Sequence, residues 1–250
     1  MKRLKKIILI LFCTLTSAFI LLLLIGIFAT GQENIEDRIL ENVKIDYKFT
    51  GLDELLWDRH GIMIVMEIDE TLGTYTYDNS PQVTFSSGKT TVRELLNAVV
   101  SQKDFVWRTE GDVIHIIAKS LDKRPDYQLN TEIEQFSETG NYADMVEMAL
   151  GQIKHRNFPE KLIPFFLSGR TSDFKKGLCP FRIKARNITL RQLLDRIALE
   201  SKGKIHYYGV TRQRERDGSV ILLMHFREEG VMGLSEIKDP PEPELPCPKI

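Results

Sequence analysis

Two hydrophobic periods alternate along this chain, and the alternation occurs twice. Val83, Phe85 and Ser87 step by two, the period of a strand with one wet face; Thr91, Val92, Arg93, Leu95, Leu96 and Val99 then follow at helical spacing. At a constant offset of 98 residues, without a gap, Phe181, Ile183 and Ala185 repeat the first set. Thr189, Leu190, Arg191, Leu193, Leu194 and Ile197 repeat the second. An internal repeat outranks any single motif as evidence of architecture. The pattern predicts one βα unit used twice, with each copy closing its own interior.

The first copy opens near Val43. Ile45, Tyr47 and Phe49 alternate with Lys44, Asp46 and Lys48 as a strand. Thr50 and Asp53 form a capping box for a short helix that Gly61 ends, and Ile62 to Ile68 reads as a buried strand. Gly73, Asn79 and Pro81 mark a loop. Thr91 and Glu94 cap the next helix, and Phe105–Arg108 pairs with Val113–Ile117 around Glu110-Gly111-Asp112.

The second copy has an Asn141–Asp144 cap and a longer helix. Its apolar run Leu162–Leu167 is broken by Pro164, an edge strand at best because proline cannot donate to a ladder. Thr189 and Gln192 form another cap, and a hairpin turns at Asp217-Gly218.

The expected fold is α+β: an N-terminal transmembrane helix followed by two small β-α-β-β-α-β-β repeats. Residues 1–31 form a cytoplasmic stub and anchor, 32–42 a stalk, 43–120 the first repeat and 121–129 a linker. Residues 130–229 form the second, divergent repeat, and 230–250 a proline-rich tail of polyproline type that does not pack.

The anchor rests on Ile7 to Ala29, which at 23 residues can cross a hydrocarbon core of ~30 Å. Signal-peptide cores are shorter. Ala29-Thr30-Gly31 nevertheless carries the small residues of a cleavage site, so removal stays open beside retention. Lys2, Arg3, Lys5 and Lys6 place the N-terminus in the cytoplasm and the rest outside, as a single-pass inner-membrane protein with a periplasmic C-terminal region. Net charge is −1 overall, leaving about −5 beyond the basic start, which speaks against a nucleic-acid partner. Outside the span, Cys179 and Cys247 would be free to bridge in an oxidising compartment, with two unpaired thiols as the alternative.

Phe49-Thr-Gly-Leu-Asp-Glu-Leu-Leu, Gly61-Ile-Met-Ile, Val83-Thr-Phe, Thr91-Val-Arg-Glu-Leu-Leu, Phe105-Val-Trp and Asp112-Val-Ile-His-Ile together resemble the secretin and TonB short N-terminal domain. The resemblance covers Lys44 to Ala118 and, in the second copy, Phe181 to Phe226. It implies a periplasmic module that makes protein–protein contacts and brings no catalytic residues. The barrel that follows in those families has no room after Glu229, which leaves an accessory or adaptor role in a secretion, pilus or TonB-type signalling assembly. An envelope protein is the expected partner, oligomerisation is left open, and no cofactor or metal is expected.

Candidate chemistry is sparse. His60, His115, His155, His206 and His225 are scattered without zinc-site spacing or clustered carboxylates, although His206 and His225 could meet across the last two strands. Asp53 with Glu54, and Asp69 with Glu70, are adjacent carboxylates rather than a facing pair. Arg212, Arg214 and Arg216 alternate before the last turn and would share one face, either as an ordinary solvated hairpin tip or as a contact for an acidic partner, lipid headgroups or a glycan. Phe165 and Phe166, in the run broken by Pro164, form either core or a docking patch. Two other functions compete with the adaptor: a cell-wall hydrolase with its site between the repeats, and a ligand sensor hinged at the linker.

Overall fold

A computed structural model describes residues 34–72, 82–100, 104–167, 179–200, 205–214 and 216–228. The chain is α+β, with ten strands and five helices among these residues. The first half runs β1 (Ile39–Lys48), α1 (Leu52–His60), β2 (Met63–Asp69), β3 (Gln82–Thr91), α2 (Val92–Val100), β4 (Phe105–Glu110) and β5 (Val113–Ala118). A single turn, α3 (Lys119–Asp122), leads into the second half. That half runs β6 (Glu132–Gly140), α4 (Tyr142–Gly151), β7 (Lys161–Leu167), β8 (Phe181–Thr189), α5 (Leu190–Glu200), β9 (Ile205–Gln213) and β10 (Val220–Glu228). The two halves share one element order.

Local chemistry sets the equivalent helix starts. Ahead of α2, Thr91 N–H donates to Glu94 Oε2 at 2.8 Å while Glu94 N–H donates to Thr91 Oγ1 at 3.2 Å. Ahead of α5, Thr189 and Gln192 exchange the same pair of bonds at 3.0 and 3.2 Å. Each box satisfies two N–H groups that a helix start leaves without partners. Leu95 and Leu193, equivalent in the repeat, are both fully buried. Gly111 and Gly218 turn the two hairpins at φ +64° and +70°, where a Cβ would be strained. The first helix departs from expectation: α1 is entered through a 3-10 turn, Phe49–Gly51, and its cap residue is Gly51, with no side-chain cap bond.

The halves do not close separate interiors. β1 pairs with β3, and β6 with β8, as antiparallel ribbons. The remaining strands join in one six-stranded sheet, ordered β4-β5-β2-β9-β10-β7. The seam between halves is a short parallel pairing of β2 with β9: Glu67 opposite Gly209, Ile68 opposite Val210, Asp69 opposite Thr211. A single hydrophobic cluster runs through both halves. β2 is buried along its whole length, as a strand covered on both faces must be.

The segment expected as a linker is also part of this core. Leu121, Tyr127 and Leu129 are fully buried, so 121–129 is packed rather than hinged. The expected stalk likewise merges into the fold, since β1 starts at Ile39 and Leu40 is buried. β7 does lie at the sheet's end, where Pro164 is tolerated.

Residues paired in register share a face, which shows how the helices are laid on. Glu67, Gly209 and Tyr207 lie on one face with Phe226 and His115. That face receives the second half's helices: Tyr142 of α4 meets Phe226, and Arg191 and Asp195 of α5 reach Glu67 and His115. The opposite face carries Trp107, Phe105 and His206. It receives the first half's helices: α2 bonds Trp107 through Asn97, and Trp57 of α1 stacks edge-on against His206 at 4.5 Å. Strand order is kept between halves, strand direction is reversed and the helix-bearing face is exchanged. A half-turn about an axis crossing the strands, with a shift of three strands, relates them. At roughly 4.8 Å per strand the shift is about 14 Å.

Among the described residues no helix is long and apolar enough to cross a membrane. Ile7–Ala29, Cys247 and the tail lie outside the described residues.

Candidate functional site

A buried set of ionisable side chains sits at the seam. Glu67 interrupts the apolar run of β2, and α5 lays two polar residues over it from the other half. Arg191 Nε donates to Glu67 Oε1 at 2.6 Å and Nη2 to Glu67 Oε2 at 2.8 Å, a bidentate pair. Arg191 Nη1 also donates to Asn130 Oδ1 at 2.7 Å. One turn along α5, Asp195 Oδ2 lies 3.0 Å from His115 Nε2, while His115 Nδ1 is 3.4 Å from Glu67 Oε1. Tyr207 of β9 donates its hydroxyl to Asp195 Oδ1 at 2.6 Å. The side chains of Glu67 and His115 have no exposed surface, and Arg191 has 1 %.

Each shift has a local cause. Burial alone pushes the Glu67 carboxyl up, but the Arg191 charge and its hydrogen bonds, with His115, reverse this and hold it well below the ordinary carboxylate range. Burial pulls His115 down, but Asp195 and then Glu67 outweigh it and raise the imidazole to about 9. Burial, reinforced by Asp195, pushes the Tyr207 phenol well up. At neutral pH the Glu67 carboxylate therefore lies between a guanidinium and an imidazolium.

Glu110 borders this group. It accepts from Arg108 Nε at 3.1 Å, and Arg108 also pairs with Asp122. Glu110, His115 and Asp195 each bring a potential ligand atom within 4.8 Å of the others, close enough for a metal ion. The donor set fits one poorly. His115 already uses Nε2 on Asp195, and a metal would have to displace a proton held up to about 9 while facing the charge of Arg191. Catalysis fits poorly too, because substrate would need a path to groups without exposed surface. What the arrangement can do is fasten the halves in one register, since a polar pair buried in an apolar seam penalises any slip that parts it.

The sequence-based candidates fare differently. The expectation that no carboxylates gather near a histidine fails at His115. His206 and His225 do not face each other: His225 lies opposite Tyr208 and stacks on it at 4.5 Å, while His206 lies opposite Arg227. Burial, with Arg212 adding repulsion, lowers His225 to about 4. Arg212, Arg214 and Arg216 do not share a strand face, because β9 ends at Gln213. Arg212 is exposed on the strand, Arg214 pairs with Asp217 at 3.5 Å, and Arg216 is exposed in the turn. Asp69 anchors the turn after β2, accepting from Thr71 N–H at 3.0 Å and Ser120 Oγ at 2.7 Å. Asp53 lies within α1, and the side chain of Glu54 lies outside the described residues.

Phe165 and Phe166 belong to β7 by backbone, and their side chains lie outside the described residues. Their neighbours Leu162 and Ile163 are half-buried. A groove of about 650 Å³ runs between β7 and the end of α4, lined by Leu150, Ile153, Phe158, Leu162 and Pro164 with Lys154 at its side. Cys179 is disulfide-bonded.

Glu67, His115, Arg191 and Asp195 escaped sequence reasoning because they come from three distant segments. One signal was present: a glutamate in the middle of an apolar strand has to find a cation. No family model, curated protein or solved structure matches the chain.

Proposed function

We propose that this chain is a membrane-anchored, extracytoplasmic protein–protein interaction module, an accessory or adaptor in a bacterial envelope assembly, built from two repeats of the short N-terminal type found in secretins and TonB-dependent transducers. The observation that carries the reading is the sheet: its central strands are covered on both faces, and its two ends, β4 and β7, have no further strand beside them among the described residues. A strand end offers unpaired backbone groups to an incoming strand, with side-chain pockets alongside for selectivity. The groove beside β7 supplies such a pocket. The apolar stretch Ile7–Ala29, behind its basic start, supports the anchor and the orientation.

A hydrolase with its site between the repeats would have to use the seam cluster, and the lack of exposed surface at Glu67 and His115 favours the adaptor over it. The test is photo-crosslinking in intact cells from a reactive residue placed at Leu162 or at Arg108. A discrete adduct from either edge, lost when the reactive residue is moved to the exposed Lys184 on the separate β6–β8 ribbon, is expected. No adduct from either edge removes the reading.

A further inference from the structure

The seam inside the molecule is a heterologous contact: the outer side of β2 meets the outer side of β9. The same two kinds of side reappear at the ends of the sheet. β7 is the repeat equivalent of β2, and β4 of β9. We infer that the chain associates with copies of itself head to tail, the β7 edge of one copy pairing in parallel with the β4 edge of the next, as β2 already pairs with β9. This rests on reading the sheet edges as the contact surface, and it names the occupant.

Register can be carried across residue by residue. Met63 lies opposite Val113, and Lys161, 98 positions on from Met63, lies opposite Ile221. Val113 and Ile221 are therefore equivalent, and so are Ala118 and Phe226. Their partners Phe105 and Tyr207 are then equivalent too. Trp107–Thr109 thus takes the place of Gly209–Thr211, and Phe165–Leu167 the place of Glu67–Asp69. Pro164 does not obstruct this. Its equivalent, Met66, lies just before the seam, whose pairing begins at Glu67.

Strand direction agrees as well. The half-turn operator, applied again, lays β4 of the next copy parallel to β7, with helices alternating between faces as they do within one chain. Repetition of such an operator builds a row or a ring, never a two-fold dimer.

The two seams differ in chemistry. In the copy-to-copy seam the places of Glu67, His115, Arg191 and Asp195 are taken by Phe165, Leu223, Arg93 and Asn97. Arg93 is turned to Glu36 at 2.6 Å, and Asn97 accepts from Trp107 Nε1 at 3.0 Å. Among the described residues the charged groups at that edge, Arg93 and Arg108, are paired within their own copy, so the contact between copies lacks the buried ion pair that fixes the seam within a chain.

The experiment mixes two single-cysteine additions to the full chain in detergent, Leu167→Cys in one preparation and Thr109→Cys in the other, under mild oxidation. These positions correspond to Asp69 and Thr211, opposite each other in the internal seam. A disulfide-linked dimer should form in the mixture several-fold more than in either preparation alone, after subtraction of the background from the native cysteines. Phe166→Cys mixed with Arg108→Cys is a second pair on the other face of the sheet, in case either first variant folds poorly. No mixture-specific dimer in either pair overturns the inference. So does equal linking within one preparation, which would mean a two-fold contact. If cellular crosslinking finds a different protein on the edges while copies fail to link, the inference falls and the adaptor reading stands.

Discussion

Arg191 binds both carboxylate oxygens of Glu67 across the boundary between the two halves, linking residues 124 apart in sequence. Both groups are withdrawn from water, and each is costly without the other. Removing one partner, as in Glu67→Gln or Arg191→Met, should cost about 3–5 kcal/mol in urea unfolding, the usual penalty for a stranded buried charge. The double variant Glu67→Leu/Arg191→Met should recover most of that loss. A double variant as unstable as the sum of the singles would mean that the two residues act independently.

His115 makes the seam sensitive to alkali. Its pKa rises from the ordinary 6.5 to about 9 in the folded chain, so the folded state binds the extra proton between those values. The resulting stabilisation is fully present below about 6.5 and is lost as pH rises through about 9, roughly 3 kcal/mol in all. Glu67 works in the opposite sense: its carboxyl is held low, so its contribution is present above its ordinary 4.5 and is lost as acid protonates it. Urea midpoints measured between pH 6 and pH 10 should fall steadily, and His115→Asn should flatten that slope. An unchanged slope would place the titrating group elsewhere.

Arg93 and Arg191 hold the same place in the two repeats with opposite surroundings. Arg93 pairs with Glu36 and Asp37 with 46 % of its side chain exposed, where ion pairs contribute about 0–1 kcal/mol. Arg93→Ala should therefore leave the thermal midpoint nearly unmoved, while Arg191→Ala lowers it sharply. Comparable losses would mean that Arg93 is anchored in some further contact.

The helix caps offer a matched pair. Thr91→Ala and Thr189→Ala each remove the hydroxyl that accepts the first-turn N–H, and each should cost about 1 kcal/mol. Equal losses in calorimetry would confirm that the two boxes are equivalent. A silent Thr189→Ala would show that burial of α5, rather than its cap, holds that helix in place.

Much of the local structure was legible because it is written within short windows. Thr91–Glu94, Thr189–Gln192, Gly111 and Gly218 each act within a few residues, and Pro164 marked an edge strand. The joining of the halves was not legible. Gly209 shows why: in sequence it is one residue of an apolar strand, yet a Cβ there would press on Met224 Sδ at 3.3 Å and approach the Tyr127 hydroxyl at 3.6 Å. Tyr127 comes from a segment whose charges suggested solvent, and its ring is fully buried. Hydrophobic period says which residues are inside but not which interior they share. The same limit hid the cluster, since Arg191 and Asp195 reach Glu67 and His115 only after β2 and β9 meet.

The late pairing of β2 has a consequence for synthesis. A chain that emerges N-terminus first completes β5 long before the ribosome reaches β9. Through most of that interval the newborn polypeptide carries a sticky flank and a carboxylate, Glu67, whose guanidinium partner Arg191 has not yet been translated. Such an intermediate invites misassembly with neighbouring nascent chains, and holding it safe falls to whatever escort the cell provides until the final hairpin arrives.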